Sequence, residues 1–251
     1  MSDGQGRVWV YGIVPADAQL QQLESRDDLP DVWLVESGEL AAIVGDAPED
    51  DAKATRNQAL GHARVLETAV RDAPVVPMRF GVMCPSDDDV ASGILDDQSE
   101  QLAELLERLE GQVEMVLKVE YDDGSVLRQI VREQPEVAEL REAIGQGSED
   151  ATRDQRIRLG ELIGNAIEQR RERDSAAILG QLEDAVLESQ NDPPEKELMV
   201  LNAALLVERD GVEKLEQAVE EVAKERDEMH FKLIGPMPAY HFIETEEPAA
   251  A

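Results

Sequence analysis

The sequence predicts an α+β chain of two domains. The first is a split βαβ (ferredoxin-like) domain, and the second is an α+β sandwich carrying a long helical insertion. Three observations predict it. Short runs rich in Val, Ile and Leu alternate with amphipathic stretches of helical period. In the first third their order is strand, helix, strand, strand, helix, strand. In the second half a strand is followed by a block of helical sequence, then strand, helix and strand.

The run "RVWVYGIVP" (Arg7 to Pro15) is β-branched and aromatic and ends at proline, as a buried strand does. "ADAQLQQLE" follows as a short helix. "DVWLVESGELAAIVGDA" then holds two apolar runs about a Ser37-Gly38 turn, a hairpin. Ala59, Ala63, Leu66 and Val70 share one face of the next helix, which Thr55 or Asn57 caps. "PVVPMRFGVM" is an extended segment, and Pro74 and Pro77 place it at an edge or at a strand start. After Ser86 as N-cap, Asp87, Asp88 and Asp89 occupy the first turn of a helix, where carboxylates suit the helix dipole. That role accounts for the acidic triplet better than a metal site does. Gly111 stops this helix. The domain boundary falls there, with 1–110 as the first domain and its linking helix and 111–251 as the second.

In "QVEMVLKVEY", Val113, Met115, Leu117 and Val119 share one face of a half-buried strand. Two helical blocks follow, about Val126–Ile144 and Thr152–Ser189, joined by "GQGSED" as a flexible loop. Within the second block "EQRRERDS" (Glu168 to Ser175) is charged all round. It is either a solvated stretch of one helix or a break between two. "ELMVLNAALLVERDG" is buried strand, "VEKLEQAVEEVAKERD" an amphipathic helix and "EMHFKLIGPM" the final strand. "ETEEPAAA" is expected to be a disordered acidic tail.

Composition narrows the function classes. Of 251 residues 42% are hydrophobic, enough for a core, but only 3% are aromatic, so that core is aliphatic. The net charge is -32. Such a chain repels nucleic-acid phosphates and anionic membranes, so neither is expected as a partner. Concentrated salt screens the self-repulsion, which points to a halophilic, salt-rich cytoplasm, with an ordinary acidic bacterial protein as the alternative. The start of the chain lacks a signal-peptide pattern, and no apolar run reaches membrane-span length. A cytoplasmic location is therefore expected.

Little in the chain suggests catalysis. Cys84 is the one cysteine, so no intramolecular disulfide is possible. His62, His230 and His241 are scattered, and no CxxC, HExxH or phosphate loop occurs. No catalytic residue, metal or cofactor is expected, and the chain is read as a non-enzyme. A split βαβ sheet can bind RNA, but that needs exposed aromatics and basic charge, and Tyr11 and Phe80 are too few. The alternative from another class, a small-molecule-binding or enzymatic α+β protein, rests on fold analogy.

Three stretches carry a resemblance: "VYGIVP" (Val10–Pro15), "VVPMRFGVM" (Val75–Met83) and "LIGPMPAYHFIE" (Leu233–Glu244), with "LNAALLVERD" in support. Together, and in this order, they resemble the GvpL/GvpF family of gas vesicle synthesis proteins. The family commonly has tryptophan between the two prolines, where this chain has Met237. The resemblance implies a non-enzymatic role in assembling gas vesicles, and association with the small hydrophobic shell protein GvpA and other accessory Gvp proteins. It also implies residence in the cytoplasm or as a minor component of the vesicle.

Uncharged, aromatic and proline-containing stretches stand out on the acidic background. The candidate partner-binding residues are accordingly Arg79, Phe80, Met237, Tyr240 and Phe242. Pro236 and Pro238 hold "GPMPAYHFIE" extended, which would put Tyr240 and Phe242 on one face. That face either clamps the segment to the core or meets a partner.

Overall fold

The computed structural model of the chain describes residues 6–24, 29–48, 55–148 and 151–243. The expected disordered tail lies outside the described residues. The described chain forms two compact units. One holds residues 6–24, 29–48, 55–115, 206–212 and 235–243, and the other 116–148, 151–205 and 213–234.

In the first unit, β1 (Val8–Pro15) is followed by α1 (Gln21–Glu24), β2 (Val32–Ser37), β3 (Leu40–Asp46) and α2 (Arg56–Ala69). Then come β4 (Val76–Pro77), β5 (Met83–Cys84), α3 (Asp87–Val90), a short π-helix at Ala91–Asp96 and α4 (Ser99–Arg108). The sheet order is β2-β3-β1-β4, and β5 also pairs with β1. All these pairings are antiparallel. This is the split βαβ order. β1 lies at the centre, and Val10, Ile13 and Val14 are fully buried.

Local chemistry sets the helix starts. Thr55 caps α2 in a capping box with Gln58. Ser86 accepts from the Asp89 amide at 3.3 Å, so the aspartate triplet serves the first turn of α3. On α2, Leu66 and Val70 are buried as expected, but Ala59 is exposed, because the buried face runs through His62, Val65 and Ala69.

The remaining elements are β6 (Gln112–Tyr121), α5 (Asp123–Glu133), α6 (Pro135–Gln146) and α7 (Arg153–Leu182). They continue with β7 (Glu188–Asn191), β8 (Met199–Glu208), α8 (Val212–Lys224) and β9 (Met229–Met237). Their sheet order is β7-β8-β6-β9. In chain order that is second, third, first, fourth, the same split βαβ order, with α5, α6 and α7 as the first crossover.

Two readings of the sequence are revised here, and one left open is decided. The block Val126–Ile144 is two helices, because the residue before Pro135 is excluded from the α region: Gln134 is extended at φ -116°, ψ 99°. The helix of the second block ends at Leu182, and the block's last residues, Glu188 and Ser189, belong to the edge strand β7 rather than to helix. Every residue of β7 is exposed, so it lacks the apolar alternation by which strands are recognised.

"EQRRERDS" does not break its helix: α7 runs through it for 30 residues. Arg170 hydrogen-bonds Gln129 Oε1 at 2.8 Å and pairs with Glu133. Arg171 donates to the Met199 and Glu197 carbonyls at 2.8 and 2.6 Å. The Tyr121 hydroxyl donates to Asp174 at 2.7 Å. Burial, then the Asp174 carboxylate, raises the Tyr121 phenol. The charged stretch thus ties α7 to its neighbours through polar side chains.

Candidate partner-binding surface

The expected extended segment "PVVPMRFGVM" is two short strands with a turn between them. Val76 and Pro77 pair with Ile13 and Gly12, and Met83 and Cys84 pair with Trp9 and Val8. Residues 78–82 loop out from β1. Two backbone hydrogen bonds pin the loop, Met78 N to Tyr11 O at 2.9 Å and Val10 N to Val82 O at 3.0 Å. Gly81 closes it at φ +93°, a conformation that suits glycine. The loop presents Arg79 and Phe80 to solvent. Among the described residues Arg79 has no ion-pair partner.

Beneath Phe80 lies an aromatic cluster. Its ring is 5.0 Å from Trp9 and meets His62 edge-on at 5.7 Å, and Tyr11 stacks on His62 at 5.2 Å. Trp9 Nε1 donates to His62 Nδ1 at 3.1 Å, and His62 Nε2 lies 3.2 Å from the Met78 carbonyl. An indole N–H can only donate and a carbonyl can only accept. Those partners fix His62 as the neutral tautomer with its proton on Nε2. It is 4% exposed, and burial lowers its pKa against the smaller opposing effect of the Met78 carbonyl. His62 therefore ties β1, α2 and the Arg79–Phe80 loop together.

A pH dependence follows from this. A histidine whose folded pKa is depressed stabilises the fold fully above its unfolded value of about 6.5 and loses that contribution as pH falls below it. The difference in Tm between the native chain and His62→Gln is expected to shrink between about pH 7 and pH 5. Calorimetry at matched salt checks it; a difference that stays constant would count against the neutral assignment.

The C-terminal segment is anchored through the start of β6. Glu114 is fully buried. Its carboxylate accepts from the His241 backbone N–H at 2.9 Å and contacts His241 Nδ1 at 2.7 Å. Gly235, at φ +138°, passes so close to β6 that an added Cβ would meet Met115 Sδ at 2.6 Å and the Glu114 carbonyl at 2.9 Å. No other residue fits both the space and the backbone.

Beyond β9 the chain turns into a 3-10 helix, Tyr240–Phe242. Tyr240 and Phe242 consequently do not share a face. Phe242 is 3% exposed and Tyr240 is 41% exposed. Pro238 and Ala239 are buried and Met237 is half-buried. Partial burial, then the carboxylates Glu67 and Glu114, pushes the Tyr240 phenol up to about 12.

Of the five residues singled out from sequence, Arg79, Phe80 and Tyr240 are exposed, Met237 is half-buried and Phe242 is core. His62 and Glu114 were missed. A lone histidine and one glutamate among 56 acidic residues carry no signal of burial. Only the helical offset of His62 from Leu66 hinted that it faces inward.

These features define a two-unit α+β protein with an aromatic, partly exposed face on an otherwise acidic chain. The gas vesicle synthesis protein GvpL/GvpF family matches over residues 7–244, and the chain belongs to it. The chain is 32% identical to gas vesicle protein F of Streptomyces sp. (strain CB03234), over 94% of this chain and 99% of that one. It is 22% identical to gas vesicle protein F1 of Halobacterium salinarum (strain ATCC 700922 / JCM 11081 / NRC-1), over 94% of this chain and 92% of that one. The crystal structure of GvpF from Anabaena sp. PCC7120 superposes with a TM-score of 0.79, at 21% identity, covering 96% of this chain and all of that one. GvpF from Microcystis aeruginosa superposes at 0.73 with 21% identity, covering 94% and 98%. The fold is that of these proteins, and the role is gas-vesicle-related. Among the described residues no helix is long and apolar enough to cross a membrane.

Proposed function

We propose that this chain is a non-enzymatic assembly factor that binds the small hydrophobic shell protein GvpA, and other accessory Gvp proteins, during gas vesicle formation in the cytoplasm. A place as a minor component of the finished vesicle is part of the same reading. The observation that carries it is Phe80, a large apolar side chain 38% exposed on a pinned loop, beside a cation with no ion-pair partner among the described residues, in a chain of net charge -32. A shell subunit exposes apolar surface before it assembles, and an unattended apolar surface aggregates. A highly charged carrier with one aromatic face covers such a surface and stays dispersed. In this reading Arg79, Phe80, Tyr240 and Met237 contact the partner, while Phe242 holds the segment that carries Tyr240.

The alternative, a small-molecule site, finds less support. A groove of about 740 Å³ in the first unit is lined by apolar residues such as Leu40 and Leu106 and by five carboxylates, with Gln19 as its one amide side chain, which is not a convergent set of donors. Co-purification tests the proposal. The shell protein should be retained by the tagged chain in molar salt, and failure to retain it from gas-vesicle-forming cells would sink the idea.

A further inference from the structure

After α7 the chain becomes extended at Val186 (φ -128°, ψ 135°) and enters β7, the outer strand of its sheet, which is paired with β8 on one side. The Asp192 N–H donates to the Asn202 carbonyl at 2.8 Å, so the alternation of a strand turns the N–H and C=O of Ser189 and Asn191 away from β8. All four residues of β7 are exposed, and none is a lysine or proline that would blunt the edge.

Beside this edge, in the same unit, is an apolar pocket of about 320 Å³. The buried Leu182 and Leu205 form its floor, and Leu179, Val186 and Leu187 its walls. The walls are within reach of solvent: Leu179 and Val186 are half-buried, and Leu187 is 52% exposed. Gly180 adds no side chain to the α7 wall, and a Cβ there would meet nothing within 4 Å, so the mouth is open. The volume is at the low end for ligand sites and suits one aliphatic side chain. Glu183 and Glu188 also line the pocket, both exposed, and neither has an ion-pair partner among the described residues.

An open strand edge takes an extended segment, an adjacent apolar pocket takes an aliphatic side chain, and two exposed carboxylates take a cation. We infer that β7 and this pocket form a strand-addition site for an extended segment of a partner protein. Its aliphatic residue enters the pocket, and a basic residue two positions along, on the same face, meets Glu183 and Glu188. A second copy of β7 does not meet these demands. Its sequence, Glu-Ser-Gln-Asn, offers neither an aliphatic side chain nor a cation, and its Glu188 would face like charge. The net charge of -32 opposes self-association as well.

The probe is a blocked pentapeptide in which three threonines alternate with one leucine and one lysine. It is titrated to about 5 mM into the isotope-labelled chain and followed by amide NMR, in about 1 M salt to screen nonspecific attraction to the acidic chain. Saturable shifts centred on the amides of Ser189 and Asn191 are expected, with a Kd on the order of 1 mM. The same peptide N-methylated throughout cannot donate to the edge and should bind at least about tenfold more weakly. Serine in place of its leucine should cost about tenfold and norleucine in place of its lysine about threefold. Ser189→Pro replaces an outward N–H and leaves the bonds to β8 intact, so it should keep the native circular dichroism and weaken the peptide about tenfold. Absence of saturation, equal binding of any altered peptide, or unchanged binding to folded Ser189→Pro would each overturn the inference. Self-association of the native chain that Ser189→Pro abolishes would also overturn it, by giving the edge to a second copy. If Ser189→Pro does not fold, the altered peptides decide on the native chain alone. None of these outcomes uses the Arg79–Phe80 loop, so this inference and the proposed function fail separately.

Discussion

Phe242→Ala is expected to destabilise the chain by about 3 to 5 kcal/mol, whereas Tyr240→Ala two residues earlier should cost less than about 1 kcal/mol. The contrast follows from the 3-10 helix that ends the described chain. Phe242 is 3% exposed, so truncation leaves a cavity that its neighbours only partly fill. Tyr240 is 41% exposed and keeps much of its surface in water in either state. Thermal melts would show a Tm lower by on the order of 10 °C for the first and nearly unchanged for the second. Equal losses for both would mean that the two side chains share one buried face after all. Tyr240→Ala should instead weaken shell-protein capture, since it removes exposed aromatic surface without disturbing the segment.

Glu114→Ala is expected to be comparably severe, about 3 to 5 kcal/mol. The carboxylate is fully buried and serves both the His241 amide and its ring nitrogen. Alanine removes both contacts and leaves a void where the carboxylate was buried, which loosens the hold on the chain beyond Gly235. Glu114→Gln keeps the volume and one acceptor oxygen, so about 1 to 3 kcal/mol is expected. Hydrogen exchange localises the effect: amides of residues 239–242 should lose protection in Glu114→Ala before those of β1 do. Uniform loss across the first unit would show that Glu114 supports the whole core instead.

Much of this architecture is legible in the sequence because it is written in local pattern. Val and Ile runs mark β1, β3 and β8, the Ser37-Gly38 pair marks the hairpin, and Thr55 and Ser86 mark helix starts. What escapes is whatever depends on distant partners. The charged stretch of α7 reads as solvated or broken until Gln129, Glu197 and Asp174's partner Tyr121 are brought to it. β7 has no apolar residue to betray it. "PMRFG" reads as a strand because its composition is apolar, yet Pro77 and Gly81 turn it into the loop that exposes Phe80. The candidate residues were found because they stand out chemically on an acidic chain. Their division into exposed and buried side chains is not visible in the sequence, since the extended reading of two prolines puts Tyr240 and Phe242 together.

The central claim, that the Arg79–Phe80 loop is the face that takes the shell protein, rests most directly on one binding measurement. Immobilised shell protein, titrated in molar salt with the native chain and with Phe80→Ser, should give a Kd at least about tenfold weaker for the variant. Phe80 is partly exposed on a loop, so the variant's circular dichroism and Tm should stay close to native. Unchanged affinity in a folded Phe80→Ser protein would contradict the account and move the contact elsewhere on the chain.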